Sequence, residues 1–171
     1  GNFTGAFVPF GSGSLTSQGD SDIFMLRFNA SGADYSRVSL GSPGSDTGES
    51  VAVDGSGNIV LTGYTGGLAW LGGETFAARG GLDLFVTKWK PSGQHIWSGT
   101  FGGLGTEIGN SIATDASGNV VVTGYIDGAA DFGGTELVSA GSQDAFLAKY
   151  GAIAGDPYPF ITSIADIGND Q

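Results

Sequence analysis

The sequence predicts an all-β fold of tandem four-stranded antiparallel sheets, the arrangement of β-propeller blades. Three observations lead to this prediction: a long repeat that returns at a constant interval, an apolar pattern typical of strands within each repeat, and 33 glycines among 171 residues. Frequent glycine combined with a hydrophobic fraction of 40% is typical of short buried strands joined by tight turns. A β-solenoid is the alternative architecture.

The repeat is ungapped. Asp22, Asp83 and Asp144 each begin an Asp-x-Phe motif, and the period from one to the next is 61. The motif Ser-Val-Ala-Val-Asp-Gly-Ser-Gly-Asn at 50–58 returns at 111–119 as Ser-Ile-Ala-Thr-Asp-Ala-Ser-Gly-Asn. The chain therefore holds about 2.8 units. We divide it into the end of a first unit (1–21), two full units (22–82 and 83–143) and an atypical or truncated terminal unit (144–171).

Within the unit that begins at Asp83, the sequence predicts four strands and a short extra hairpin. Residues 83–89 are largely apolar on both faces, which predicts a strand covered on each side. Gly, Asn and Asp in the Asp-x-Ser-Gly-Asn segment favour a tight hairpin turn. The predicted strands are 83–89, 94–101, 110–115 and 119–125, followed by a hairpin of 130–132 and 135–137 about Gly133 and Gly134.

The terminal unit departs from the pattern. Residues 151–159 replace the expected turn and strand, and Ser-Ile-Ala-Asp at 163–166 resembles residues 111–113 but arrives early. Terminal repeats are often atypical, because one of their faces has no neighbouring repeat.

Composition argues against several classes of partner. The net charge is -11, with six Lys plus Arg against seventeen Asp plus Glu, so no basic stripe could neutralise a phosphate backbone. The apolar stretches are far shorter than the roughly 20 residues that span a bilayer. We therefore expect neither nucleic acid binding nor membrane insertion. The absence of cysteine rules out disulfides and a thiol nucleophile.

The chain resembles the bacterial and archaeal β-propeller repeats of the SBBP type, found in secreted and cell-surface proteins. The resemblance is carried by Asp-x-Phe-x-x-Lys-Tyr, Trp-Ser-x-x-Phe-Gly-Gly, Ser-Ile-Ala-x-Asp-x-Ser-Gly-Asn, Val-x-Val-Thr-Gly-Tyr and Asp-Phe-Gly-Gly, and it covers residues 1 to about 150. It implies a propeller fold and an extracellular or cell-surface location. It implies no defined activity, since such repeats usually serve as scaffolds or binding modules.

Two sets of charged residues recur with the repeat. Each basic residue follows its aspartate by five positions, an odd spacing that places the two on opposite faces of one strand. We therefore expect these side chains to contact a neighbouring blade, with ligand contact at a central channel as the alternative. The residues are Asp22, Asp83, Asp144, Arg27, Lys88 and Lys149.

Candidate ligand contacts are sought among residues that the repeat does not require. Trp70 aligns with Pro9 and Asp131, and Trp97 aligns with Ser36, so the shared blade core explains neither tryptophan. We take Trp70, Trp97 and Asp131 as possible contacts with a ligand or partner. His95 aligns with Asp34 and is expected to be a solvated strand residue.

No catalytic, cofactor-binding or metal-ligating motif is found in the sequence. The segments 54–58 and 115–119 superficially resemble calcium loops, but they lack a third acidic ligand and the distant glutamate of an EF-hand. A tight turn is the favoured interpretation.

Closure is the physical problem for a chain of this length. Propellers normally close 4 to 8 blades, so fewer than three units need either further blades from a longer parent chain or self-association. The predicted function is a non-catalytic scaffold for protein–protein association in a secreted or cell-surface protein. The alternatives are a carbohydrate-binding lectin or adhesin, and a propeller-fold hydrolase or lyase.

Overall fold

A computed structural model describes residues 1–5, 8–10, 13–152 and 159–167. The described part of the chain is all-β, and no helix in it could cross a membrane. In chain order the strands are β1 (Asn2–Phe3), β2 (Val8–Phe10), β3 (Gly13–Leu15), β4 (Asp22–Phe28), β5 (Asp34–Leu40), β6 (Asp46–Val53), β7 (Ile59–Thr65), β8 (Leu68–Trp70), β9 (Thr75–Ala77), β10 (Asp83–Trp89), β11 (His95–Gly103), β12 (Glu107–Thr114), β13 (Val120–Ile126), β14 (Ala129–Asp131), β15 (Glu136–Val138), β16 (Asp144–Ala152) and β17 (Pro159–Asp166).

Three antiparallel sheets stack in chain order, as blades do in a β-propeller. The first sheet has the order β1-β4-β5 and the third β12-β13-β16-β17, while the second runs β6-β7-β10-β11 and is continued beyond β11 by the hairpin β14-β15. All pairings between neighbouring strands in these sheets are antiparallel. The predicted all-β fold of propeller type is confirmed, and the antiparallel order does not fit the parallel coils of a β-solenoid.

Sheet boundaries fall at a different phase from the aspartate-to-aspartate units. The unit 83–143 contributes β10 and β11 to the second sheet, but β12 and β13 to the third. Hairpin β12-β13 pairs with β16 of the following unit, because the crossing between sheets occurs at residues 104–106, after β11. The sequence repeat gives the number of residues per sheet, but it does not show at which residue one sheet ends and the next begins.

In each of the three sheets a short hairpin comes directly before the strand that begins with the recurrent aspartate, namely β4, β10 or β16. These hairpins are β2-β3, β8-β9 and β14-β15. Two of them reach back to the end of the preceding sheet's last strand: Gly102 of β11 pairs with Asp131 of β14, and one repeat earlier Gly41 bridges to Trp70 of β8. The hairpins therefore connect each of these sheets to the one before it.

Apolar side chains fill the two seams between sheets. Ile23 and Leu40 pack with Leu61 and Phe85 between the first and second sheets. Val60, Leu84 and Val86 pack with Val122 and Phe146 between the second and third. Because β10 is covered on both faces, each of its seven residues is buried, as the sequence predicts.

The hairpin turns are the tight turns that the sequence predicts. Asp54 Oδ1 accepts the backbone N–H groups of Ser56 and Asn58, both at 2.9 Å, and Asp115 repeats the pattern. Gly57 has a φ of 79°, a left-handed conformation that favours glycine. The carboxylates are thus occupied by their own turns.

The terminal unit supplies the last two strands of the third sheet. Residues 163–165 belong to β17, the outer strand paired with β16, rather than to a first strand like residues 111–113. Most of the irregular segment 151–159 lies outside the described residues.

Candidate functional site

The recurrent aspartates Asp22, Asp83 and Asp144 begin β4, β10 and β16, and all three are buried. Asp83 Oδ2 accepts the backbone N–H of Arg79 at 2.9 Å, four residues earlier in the chain. Asp22 and Asp144 likewise accept the N–H groups of Gln18 and Ala140. Each aspartate therefore binds the backbone immediately before its own strand.

A second set of acidic residues faces these aspartates, and the sequence analysis missed it. Asp46 begins β6 and Glu107 begins β12, one repeat later, and both side chains are fully buried. Glu107 Oε2 accepts the N–H of Gly103 at 2.8 Å, while Asp46 Oδ2 accepts the N–H of Ser42 at 2.6 Å and its hydroxyl at 2.8 Å. The recurrence of an acidic residue at positions 46 and 107, one repeat apart, is the sequence signal that could have identified this second set.

The two sets of carboxylates meet where one sheet passes to the next. A Cβ on Gly102 would lie 3.1 Å from Asp83 Oδ1 and closer still to Glu107 Oε2. Gly41 occupies the same position between Asp22 and Asp46. Glycine is required at these two positions because the paired carboxyl groups occupy the space of a side chain.

Burial of two like charges governs the electrostatics of this seam. Asp83 Oδ1 and Glu107 Oε1 are buried and have no hydrogen-bond partner among the described residues. Burial, reinforced by the nearby charges of Asp83 and Asp127, raises the pKa of Glu107 to about 7. Burial also raises the pKa of Asp83. The pair therefore favours a state that holds a proton near neutral pH.

The recurrent cations bind the hairpin turns instead of these aspartates. Lys88 Nζ lies 2.9 Å from Asp54 Oδ2 and also donates to the carbonyl of Gly118, at 2.9 Å, in the turn of the third sheet. Lys88 thus joins two sheets and is itself buried. Burial works to raise the pKa of Asp54, but hydrogen bonds from Asn58 and Lys88 lower it to about 2.

The same arrangement recurs in the third sheet nearer the solvent. Lys149 Nζ lies 2.8 Å from Asp115 Oδ2. The hydrogen bonds of Lys149 and Asn119 hold the pKa of Asp115 well below its usual value. Arg27, at the equivalent position of the first sheet, is buried.

A cavity of about 300 Å³ lies beside the start of β11. Glu74, Phe76, His95, Trp97 and Ser98 line it together with Gly73 and Ile96. His95 Nε2 lies 3.0 Å from the Ser98 hydroxyl oxygen, and its ring packs edge-on at 5.2 Å from Trp89. His95 is half-buried, which corrects the expectation of a solvated residue, and burial lowers its pKa.

The three candidate ligand contacts are not brought together in one pocket. Trp97 is only 5% exposed and packs beside Tyr150 in the core between the second and third sheets. Asp131 lines a separate groove with Arg79, which donates to its carboxylate at 2.9 Å. N–H groups of Gly134 and Gly133 and the Arg79 side chain lower the pKa of Asp131. Trp70 lies on β8, partly exposed.

Solvent access and the grouping of side chains limit the chemistry that the carboxylates described above could perform. The Asp83–Glu107 pair is sealed in the seam, so a substrate does not reach it in this structure. Among the described residues, no three His, Asp or Glu side chains converge to hold a metal ion.

Comparison with known proteins gives a partial match. A WD repeat-containing protein of Acanthamoeba polyphaga mimivirus, itself uncharacterised, is 29% identical over 85 residues, covering 44% of this chain. The chain spans only 6% of that relative's length. No family model matches the chain. The similarity to a WD repeat protein agrees with the propeller-type sheets described above.

Proposed function

We propose that this chain is a non-catalytic β-propeller segment that acts as a scaffold for protein–protein association, including association with copies of itself. The observation that supports the proposal is a stacking face on the third sheet that none of the described residues covers. We define this outer face by Val121, Ala145 and Leu147, which occupy the repeat positions of Val60, Leu84 and Val86 in the second sheet.

Equivalent side chains differ in burial only because one set has a neighbouring sheet. Val60, Leu84 and Val86 are fully buried against the third sheet, whereas Leu147 is 38% exposed. Burial of a Leu or Val side chain stabilises by about 1.5–3 kcal/mol, so a face of this kind favours a covering partner. Another sheet of the same type would cover it in the way that the third sheet covers the second.

The proposed location is extracellular or at the cell surface. The resemblance to SBBP-type repeats supports this setting, and the strongly acidic composition is compatible with it.

Light scattering tests the proposal. We expect the wild-type chain to form dimers or larger assemblies with rising concentration, and Leu147→Lys to shift the mass toward the monomer. Leu104→Lys, in an exposed loop away from the outer face, is the matched control and should leave the mass unchanged. A wild-type chain that stays monomeric, and binds no further sheets of its parent protein, would contradict the proposal.

A lectin role is the second candidate, favoured by the cavity at His95. Trp97 and Phe76 line this cavity together with the polar residues Glu74 and Ser98, a combination suited to a small polar ligand. Glycan-array binding that is lost in Glu74→Gln and kept in Glu136→Gln would favour it. If the wild-type chain binds no glycan on the array, the lectin role is rejected.

A further inference from the structure

The seam between the second and third sheets encloses two carboxylates that are only partly hydrogen-bonded. Asp83 is 1% exposed and Glu107 is fully buried, and each accepts a backbone N–H with one of its oxygens. The other oxygens, Asp83 Oδ1 and Glu107 Oε1, are buried and have no hydrogen-bond partner among the described residues. Within the same residues no cation forms an ion pair with either carboxylate, and Arg79 binds Asp131 instead. We call this pair the buried acidic site.

Two glycines lie against the oxygens of the buried acidic site. A Cβ on Gly102 would lie 3.1 Å from Asp83 Oδ1 and closer still to Glu107 Oε2. A Cβ on Gly105 would lie 3.4 Å from Glu107 Oε1 and closer still to the carbonyl oxygen of Asp127. Oxygens of two carboxylates and of one backbone carbonyl are therefore neighbours, on the sides of these glycines from which a side chain would project.

The equivalent seam one repeat earlier satisfies its acidic residue with hydrogen bonds. Asp46 Oδ2 accepts the N–H of Ser42 at 2.6 Å and its hydroxyl at 2.8 Å. Asp46 Oδ1 accepts the N–H of Gly66 at 3.3 Å. Asp22 Oδ1 has no partner in the described part of the chain, so this seam offers a cation one unpartnered carboxylate oxygen where the later seam offers two.

Two differences in sequence explain why the later seam is not satisfied in the same way. Gly103 stands in place of Ser42, which removes the hydroxyl donor. Asp127 stands in place of Gly66, and its N–H donates to a backbone carbonyl. The charge of Asp127 also contributes to the raised pKa of Glu107. The later seam thus has more negative charge and fewer donors, a combination that a bound cation would relieve.

The chemistry of the buried acidic site suits a calcium ion. Its unpartnered atoms are oxygens, and Ca²⁺ is bound in proteins by carboxylate and carbonyl oxygens in flexible geometry. Two carboxylates balance the double charge of the ion, whereas two like charges buried without a cation are costly. Mg²⁺ suits the site less well because it keeps several of its water molecules, for which a buried seam has little space.

An exposed loop adjoins the site and provides a route for the ion. Residues 104–106 connect Gly103 of β11 to Glu107 of β12, and Leu104 in this loop is 89% exposed. A groove of about 320 Å³ is lined by Gly102, Gly103 and Leu104 among others. Local opening of an exposed loop needs less free energy than separation of the sheets, so the ion can enter without global unfolding.

We propose that the buried acidic site binds one Ca²⁺ ion between Asp83 and Glu107, with the carbonyl oxygen of Asp127 as a further ligand. In calcium-free buffer the pair holds a proton, and the ion takes the place of that proton. The inference goes beyond the proposed scaffold role, because the site lies in a seam between two sheets of the same chain. It does not depend on any association with a partner, so the two proposals can fail separately.

Thermal unfolding followed by circular dichroism tests the site, after the chain is refolded at pH 8 in EDTA or in calcium. We expect about 10 mM Ca²⁺ to raise the Tm of the wild type by at least about 5 °C, because the ion binds the folded chain and not the unfolded one. Glu107→Gln removes one charged ligand and should lose most of this increase. Asp46→Asn, the corresponding change in the first seam, is the matched control and should keep the increase, whatever its own Tm in EDTA.

Isothermal titration calorimetry gives a second measurement. We expect the wild type and Asp46→Asn to bind about one Ca²⁺ per chain, and Glu107→Gln to bind it at least about tenfold more weakly. Mg²⁺ at the same concentration should raise the Tm less than Ca²⁺ does. A wild-type Tm that does not respond to calcium, or an equal increase in Glu107→Gln, overturns the proposal. An equal increase with Mg²⁺ overturns the assignment of the ion as calcium.

Discussion

At the scale of single residues, buried charges in the seams separate into two kinds. Lys88 and Asp54 neutralise one another, and their hydrogen bonds hold Asp54 ionised. Asp83 and Glu107 have no such buried cation between them in the described part of the chain, and burial pushes both carboxyl groups toward the protonated state. The Lys88–Asp54 pair therefore stabilises the fold at neutral pH, whereas the Asp83–Glu107 pair makes the fold more stable under mildly acidic conditions.

Stability should fall as the pH rises from about 4.5 to about 7. Glu107 has a raised pKa in the folded state, so its proton stabilises the fold at low pH and this contribution is lost through pH 7. The full loss is about 3 kcal/mol. Glu107→Gln keeps an acceptor for Gly103 and removes the charge, and we expect it to raise the Tm at pH 8 and to flatten this pH dependence. Thermal unfolding followed by circular dichroism measures both.

The control for this prediction is Glu136→Gln, since the Glu136 side chain on β15 is exposed. It should follow the wild-type pH profile. If the Glu107→Gln variant is no more stable than the wild type at pH 8, burial of the ionised Asp83 and Glu107 carboxylates does not destabilise the fold, and the prediction is wrong.

The Lys88 and Lys149 pairs allow a matched comparison of burial. Lys88→Met leaves Asp54 without its buried counter-ion, while Ser56 and Asn58 still donate hydrogen bonds to it, so we expect the free energy of unfolding to fall by about 3 kcal/mol at pH 7. Lys149→Met removes the same contact at a position nearer the solvent, so we expect a much smaller loss than in Lys88→Met. Urea unfolding of both variants measures the difference. Similar losses in the two variants would contradict a dominant role for burial.

At the scale of elements, the sequence predicts strands well and their assembly less well. The apolar faces of residues 83–89 identify β10, and the Asp-x-Ser-Gly-Asn segments identify both hairpin turns. Assignment of strands to sheets was beyond the sequence, because β11 and β12 follow one another closely yet belong to different sheets. Local patterns encode strand formation, whereas the point of crossing depends on contacts between distant residues.

The candidate site shows the same division. The recurrence of Asp83 and Lys88 is visible in the sequence, and their opposite faces explain why they do not pair with one another. Their true partners, Glu107 and Asp54, lie 24 and 34 positions away along the chain. Only the folded seam brings such residues into contact, so their pairing could not be derived from spacing along one strand.

At the scale of the whole molecule, the three sheets form a stack whose two ends differ from its middle. The second sheet is covered on one face by the first sheet and on the other by the third. Within the part of the chain that the structure describes, Val51 of β6 and Leu147 of the outer face remain exposed. Stacked repeat arrays gain much of their stability from the interfaces between neighbouring units, so stability is expected to concentrate in the central sheet.

Hydrogen exchange should reveal this gradient. Backbone amides of β7 and β10 open only when both seams are lost, so we expect them to exchange the slowest in the chain. Amides of β4 and β16 each depend on one seam, and they should exchange faster. Covering the Leu147 face by self-association at high protein concentration should slow β16 selectively, while β4 stays unchanged. Mass spectrometry of deuterated peptides at two protein concentrations measures these exchange rates. Uniform exchange across the three sheets would contradict the prediction, because it would show that the stack unfolds as a single cooperative unit.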